Sequence, residues 1–154
     1  MIEKIKKLKN HIFANISESD KTFILSGIIF INIKHENFSV CKNYSLHIEI
    51  EKNMVNSNVI PKIKVTRGME HFYPHINKDN TLCLEVSFIQ RVFLGKNDYD
   101  LVKWFDNFFL PFVLQYEYFV CFDEPLYGER SHYQQGIYEA LNEYLDITDI
   151  EGVI

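Results

Sequence analysis

The chain reads as one α+β domain with its helices and strands segregated, and three observations predict it. At the N-terminus Ile2, Ile5, Leu8 and Ile12 recur near helical spacing among Lys4, Lys6, Lys7 and Lys9. In the middle Tyr44, Leu46, Ile48 and Ile50 alternate with Ser45, His47, Glu49 and Glu51. Toward the C-terminus a wide apolar stripe runs from Leu101 to Tyr116. Helical period, then period two, then helical period again is the signature of helices set apart from a sheet.

The first pattern predicts an amphipathic helix over Met1–Asn15, its lysines forming either a solvated face or a basic docking surface for an acidic partner. Thr22–Ile33 is rich in β-branched and aromatic residues and reads as a strand, with Gly27 easing a bend or bulge. Lys34–Lys42 reads as a polar turn that contains Cys41. The alternating stretch from Tyr44 is a strand with one buried and one wet face, and His47 falls on the wet side. Asn53–Asn58 reads as a loop and Ile60–Thr66 as a third strand, Ile63 and Val65 pointing inward. Three strands joined by short connections predict an antiparallel meander, which Gly68 ends.

Val86–Leu94 is ambiguous between a short strand and a loop, and Gly95–Asp98 is a break. Asp98 or Asp100 is placed to cap a helix that carries the apolar stripe, with Pro111 kinking or splitting it. Helical spacing of aromatics in that stripe means core packing rather than a cofactor box. Cys121, within Tyr118–Phe122, is expected in the core. Asp123–Arg130 reads as a loop. Ser131-His132-Tyr133-Gln134 then has the form of a capping box that opens a last helix, with Ile137, Leu141 and Leu145 on its buried face.

A chain of 154 residues is long enough for one core and short for two. Its net charge of −5 argues against bulk electrostatic binding to nucleic acid or to an anionic membrane. No continuous apolar run marks a signal peptide or a membrane span. Cys41, Cys83 and Cys121 are odd in number and far apart, as in a reduced cytoplasmic protein with free thiols.

Arg67–Glu85 is the stretch that carries chemistry. It is irregular and polar, it holds His71, Pro74 and His75, and it ends in Leu82-Cys83-Leu84. Cys83 directly follows the turn-like Asn77-Lys78-Asp79-Asn80-Thr81, where a large partner can reach a thiol. The residues alone leave several roles open. Cys83 is either a nucleophile or an inert buried thiol, and His75 either a catalytic group or an organiser of the loop. A zinc site from His71, His75 and Cys83 lacks a fourth ligand, and Pro74 interrupts the helix-like spacing of the histidines. A cysteine-protease pairing of Cys83 with His132 lacks the local signatures of such enzymes.

Tyr73-Pro74-His75-Ile76-Asn77-Lys78-Asp79-Asn80-Thr81-Leu82-Cys83-Leu84 resembles the active-site signature of ubiquitin-conjugating enzymes. That signature is His-Pro-Asn, an aliphatic residue, a short polar loop, an aliphatic residue, then Cys-Leu. Ile60-Pro61-Lys62-Ile63 stands where that family has a proline entering its third strand, and the Trp104 helix stands where its main helix follows. The chain is also similar to bacterial relatives in anti-phage defence operons, through Asp79–Leu84 and Ser131-His132-Tyr133-Gln134-Gln135-Gly136-Ile137. It departs from the patterns at Tyr73, which replaces a histidine, and at Asn80 and Tyr133, which replace glycines. His75 stands in the position of the motif's asparagine.

The resemblance implies the ubiquitin-conjugating (UBC) fold: an N-terminal helix, an antiparallel meander of about four strands, an active-site loop and C-terminal helices. It implies a transferase that carries a protein C-terminus as a thioester on Cys83 and passes it to an amine, with no metal or organic cofactor. His75 would be catalytic, with Tyr73, Asn77, Asp79 and His132 as supporting residues. The implied cargo is the C-terminus of a nucleotide cyclase that makes cyclic oligonucleotides, or that of a ubiquitin-like protein. An activating enzyme would dock on the N-terminal helix. The other class of function is a non-catalytic adaptor of the same fold that binds the cyclase or a ubiquitin-like partner.

Overall fold

The chain builds a four-stranded antiparallel meander with helices packed on its apolar face, in a computed structural model that describes residues 1–57 and 59–126. Helix α1 (Ile2–His11) buries Ile5 and Leu8 completely. It is shorter than the predicted Met1–Asn15, because Phe13 turns left-handed (φ 53°) and the chain leaves the helix there. A short edge strand that the sequence pattern did not reveal, β1 (Asn15–Glu18), follows, and all of its residues are exposed.

Strands β2 (Thr22–His35) and β3 (Phe38–Glu51) form a long hairpin, paired from Thr22↔Glu51 to His35↔Phe38. The predicted polar turn at Lys34–Lys42 is therefore corrected. Only residues 36 and 37 turn, with Glu36 left-handed, and Cys41 lies on β3 opposite Asn32, exposed to solvent. The inward positions of this part of β3 are Phe38, against Tyr118 and Phe122, the buried Val40, and Lys42, which reaches Glu117; the lysine and the exposed residues around it make the composition imitate a loop.

The alternation on β3 holds: Tyr44, Leu46, Ile48 and Ile50 are buried. The Asn53–Asn58 loop contains one turn of helix, α2 (Met54–Ser57), which buries Met54. Strand β4 (Lys62–Arg67) pairs Ile63 with Ile48 and Val65 with Leu46 on the core face. The sheet order is β1-β2-β3-β4. Its irregularity falls at Ser45/Leu46, where β3 meets β4, and not at Gly27. Gly27 answers a different need, since a Cβ there would stand 3.3 Å from Cα of Ala14, at the crossing of β2 with the α1–β1 connection.

After the irregular segment the chain forms α3 (Ser87–Lys96), where a strand or a loop was expected. Only Gln90 and Leu94 of α3 are fully buried, and a buried glutamine breaks the apolar period that would have announced the helix. Asp100 caps α4 (Leu101–Trp104), its carboxylate accepting from the Lys103 amide at 3.0 Å. A π-helical turn (Phe105–Phe109) then leads into α5 (Leu110–Phe122). The Leu110 amide donates to the carbonyl of Phe105, so the helix widens just before Pro111. That widening makes room for a ring and a missing donor that an unbroken α-helix would not tolerate.

Trp104, Phe105, Phe109, Phe112, Val113 and Tyr116 are buried in one core with the inner face of the sheet, Trp104 bonding to Gln90 of α3 and Phe105 lying edge-on to His11 of α1. Cys121, expected in the core, is exposed, while Tyr118 and Phe122 on the same last turns of α5 are the residues that meet Phe38 of β3. The predicted loop Asp123–Arg130 extends beyond the described residues, and the capping box at Ser131 with its helix lies outside them. Among the described residues no helix is long and apolar enough to cross a membrane.

Candidate active site

The segment that carries Cys83 is tied down at three places. The first is its start, where Gly68 adopts φ 112° and its missing side chain lets the backbone lie on the Tyr44 ring; a Cβ would come within 2.7 Å of Cδ1. Lys42 Nζ donates to the Gly68 carbonyl at 2.7 Å and to Glu117 Oε1 at 3.1 Å. The Tyr44 hydroxyl donates to the same carboxylate oxygen at 2.7 Å. Burial, and then acceptance of its proton by Glu117, hold that hydroxyl protonated at all ordinary pH. Lys42, Tyr44 and Glu117 thus fasten β3, α5 and the mouth of the loop together. Sequence reasoning missed this cluster, because its members are far apart in the chain and form no motif.

The second anchor is Tyr73, whose ring is 2 % exposed. It lies edge-on to Phe112 and Tyr116, each at 5.6 Å, and tilted against Phe119 at 5.2 Å. On its other side stands the imidazole of His75 at 5.3 Å. Next to it the His71 amide donates to the Tyr116 hydroxyl at 2.9 Å. Tyr73 is therefore the plug that fixes the loop on α5, and His75 packs against that plug.

The third anchor is a small hairpin. Ile76 and Leu82 form an antiparallel bridge, and the Asn77 amide donates to the Thr81 carbonyl at 2.9 Å. Asn80 closes the turn in left-handed geometry (φ 67°), which an asparagine tolerates where a glycine would be the default. Asp79 Oδ1 accepts from the Thr81 amide at 3.0 Å and from its hydroxyl, and these bonds hold the Asp79 carboxyl below its usual range. The hairpin is stitched to the sheet edge by the Lys64↔Thr81 bridge and by the Leu82 amide donating to Ile63 O at 2.9 Å.

Cys83 is the first residue past this hairpin. Its amide donates to the His75 carbonyl at 2.8 Å, which sets the two residues side by side through the backbone. The thiol is half-buried, and Sγ lies 3.6 Å from Asn77 Oδ1. In this orientation the amide oxygen receives the thiol hydrogen; turned over about its last torsion, Asn77 would offer its NH2 to a thiolate. Burial is the largest influence on the thiol and pushes its pKa up. Asn77 counteracts that and the nearby Asp79 charge adds to it. The resting group is a thiol, in a position that can be reached.

One measurement follows from this. In a protein with Cys41 and Cys121 replaced by serine, iodoacetamide reaches Cys83 only as thiolate. Its rate should keep rising with pH beyond ~8.5, where an unperturbed thiol reaches its midpoint. Asp79→Asn keeps the Oδ1 acceptor for Thr81 and removes the charge, so the midpoint should move down. A midpoint at or below that of an unperturbed thiol would contradict the geometry.

The structure thus brings Tyr73, His75, Asn77, Asp79 and Cys83 into one loop, in different roles. Asn77 is the side chain at the sulfur, Asp79 shapes the turn, and Tyr73 anchors the loop. His132 lies outside the described residues. Among the described residues no group of three histidine, cysteine or acidic side chains is placed to hold a metal, so His71, His75 and Cys83 do not form one. Comparison of the chain with protein families, curated proteins and solved structures finds no match in any of the three.

Proposed function

We propose that this chain is a ubiquitin-conjugating-like transferase of an anti-phage defence system, with Cys83 as its nucleophile. The observation that carries the reading is the placement of Cys83: half-buried at the rim of a rigid hairpin, with the Asn77 amide at its sulfur. The order of elements, helix, four-stranded meander, cysteine loop and helices, also agrees with the UBC fold that the loop sequence resembles.

In this reading the Cys83 thiolate attacks the carbonyl of a thioester-activated protein C-terminus. The tetrahedral intermediate expels the donor thiolate and leaves the cargo on Cys83. An amine of the acceptor then attacks that carbonyl, loses its proton, and releases Cys83 as thiolate while an amide forms. Exchange of one thioester for another is nearly isoenergetic, so position and oxyanion stabilisation are what the protein supplies. In this reading Asn77 serves the thiolate or the oxyanion once its side-chain amide turns to present NH2 in place of the Oδ1 that faces the sulfur. His75 acts through its backbone carbonyl, which fixes the Cys83 amide. The cargo is the C-terminus of a nucleotide cyclase or of a ubiquitin-like protein, charged by an activating enzyme.

A second reading has one observation in its favour. The Cys83 thiol is pushed up rather than down, as expected of a non-catalytic adaptor that binds the same partners. The two readings separate on the Cys83→Ser protein. Mixed with activating enzyme, ATP and a candidate cargo, the wild type should form an adduct that reducing agent cleaves. Cys83→Ser should form one that resists reducing agent and yields to hydroxide. Full phage protection by Cys83→Ala would replace the transferase with the adaptor.

A further inference from the structure

The two edges of the sheet are treated differently. At β4 the Cys83 hairpin covers the edge through the Lys64↔Thr81 bridge and the bond from Leu82 to Ile63. At the other end β1 pairs only with β2, and its outer edge carries no strand among the described residues. An open edge presents backbone donors and acceptors to any extended chain that arrives beside it.

Along this edge, between β1 and α1, runs a groove of about 430 Å³. Ile2, Ile16 and Phe23 give it an apolar floor, and Ile2 and Ile16 are each more than a third exposed. Its charged residues are Lys6, Lys9 and Glu18. Glu18 is already held by Lys52 at 2.8 Å, whereas Lys6 stands 3.7 Å from the exposed Glu3, its one ion pair among the described residues. On a protein of net charge −5 this groove therefore presents positive charge. The turn that joins its two walls carries Phe13, which is 90 % exposed in left-handed geometry. Its backbone geometry is what ends α1, the Ala14 amide donating to the Lys9 carbonyl at 3.0 Å, and it leaves the ring in solvent beside the groove.

We infer that the α1–β1 groove binds an extended peptide segment of a partner protein, in which acidic residues alternate with aliphatic ones. The segment adds to the sheet as a strand beside β1. Its aliphatic side chains enter the floor made by Ile2, Ile16 and Phe23, and its carboxylates meet Lys6 and Lys9. Backbone bonds supply the register, and the lysines select acidic over basic segments. The inference does not depend on the chemistry of Cys83.

The test uses the full chain and a fluorescein-labelled peptide alternating glutamate with leucine, followed by anisotropy and by amide NMR shifts. The expected result is saturable binding, with shifts centred on residues 15–18 and 6–13. Lys6→Glu with Lys9→Glu should weaken it about tenfold, the size expected from reversing two exposed charges. Methylating alternate amides of the peptide should weaken it by at least as much with no change to the protein. Equal binding of a lysine–leucine peptide overturns the inference, and so does indifference to N-methylation. So would shifts centred on Ile28 and Phe30 of the outer sheet face, or a stable dimer of the free chain that covers β1.

Discussion

Trp104→Ala is expected to destabilise the fold by about 3–5 kcal/mol, the range for losing a large buried aromatic. Trp104 is fully buried, and its indole Nε1 donates to Gln90 Oε1 at 2.9 Å. The substitution opens a cavity where α3 and α4 meet, and it also leaves the buried Gln90 oxygen without its partner. Trp104→Phe separates the two contributions. It keeps much of the volume and should cost less, chiefly the roughly 1–3 kcal/mol of an unsatisfied buried acceptor. Urea unfolding of both variants followed by circular dichroism measures the difference. If Trp104→Phe were as damaging as Trp104→Ala, the hydrogen bond and not the packing would dominate. If neither moved the midpoint, Trp104 would not be a core residue.

Tyr73→Ala should have a similar effect on stability, about 3–5 kcal/mol, and a further one on the loop. The ring it removes is what joins the Cys83 segment to Phe112, Tyr116 and Phe119. Without it the hairpin keeps its own backbone bonds but loses its seat on α5. Amide hydrogen exchange at residues 71–83 should therefore accelerate more than exchange in β2 and β3. Tyr73→Phe keeps the edge-to-face packing and removes only the hydroxyl, so it separates the share of the ring from that of the hydroxyl. Equal acceleration across the sheet would make Tyr73 an ordinary core residue rather than the anchor of the loop.

Where one face of a strand is dry and the other wet, the sequence announces the structure. Tyr44 to Ile50 and Ile63 to Val65 are read correctly for that reason, and α1 follows from its stripe. The misreadings share a physical origin. In residues 34–42 the inward positions on β3 are Phe38, Val40 and Lys42, and a lysine that answers Glu117 interrupts the apolar alternation, so a strand there is spelled like a turn. In α3 a buried Gln90, satisfied by Trp104 across the helix pair, occupies a position where the pattern demands an apolar residue. Strand β1 is exposed throughout and carries no burial pattern at all.

The candidate site divides the same way. The cysteine and its turn are local and can be read from contiguous residues, including the left-handed role of Asn80. Lys42, Tyr44, Tyr116 and Glu117 come from elements distant in sequence, and only the folded chain gathers them around the mouth of the loop. Asn77 falls between these cases. The sequence names it only as a supporting residue of the loop, and the turn brings its Oδ1 to 3.6 Å from the sulfur.

The bonds nearest the sulfur, from the Cys83 amide to the His75 carbonyl and from the Leu82 amide to that of Ile63, run between main-chain groups, which every residue but proline carries in full. Exposed tips such as Lys78 can therefore change identity freely without disturbing the geometry underneath. A surface of that kind lets an evolving lineage try new recognition partners at little risk to the scaffold, much as a fixed handle accepts interchangeable blades.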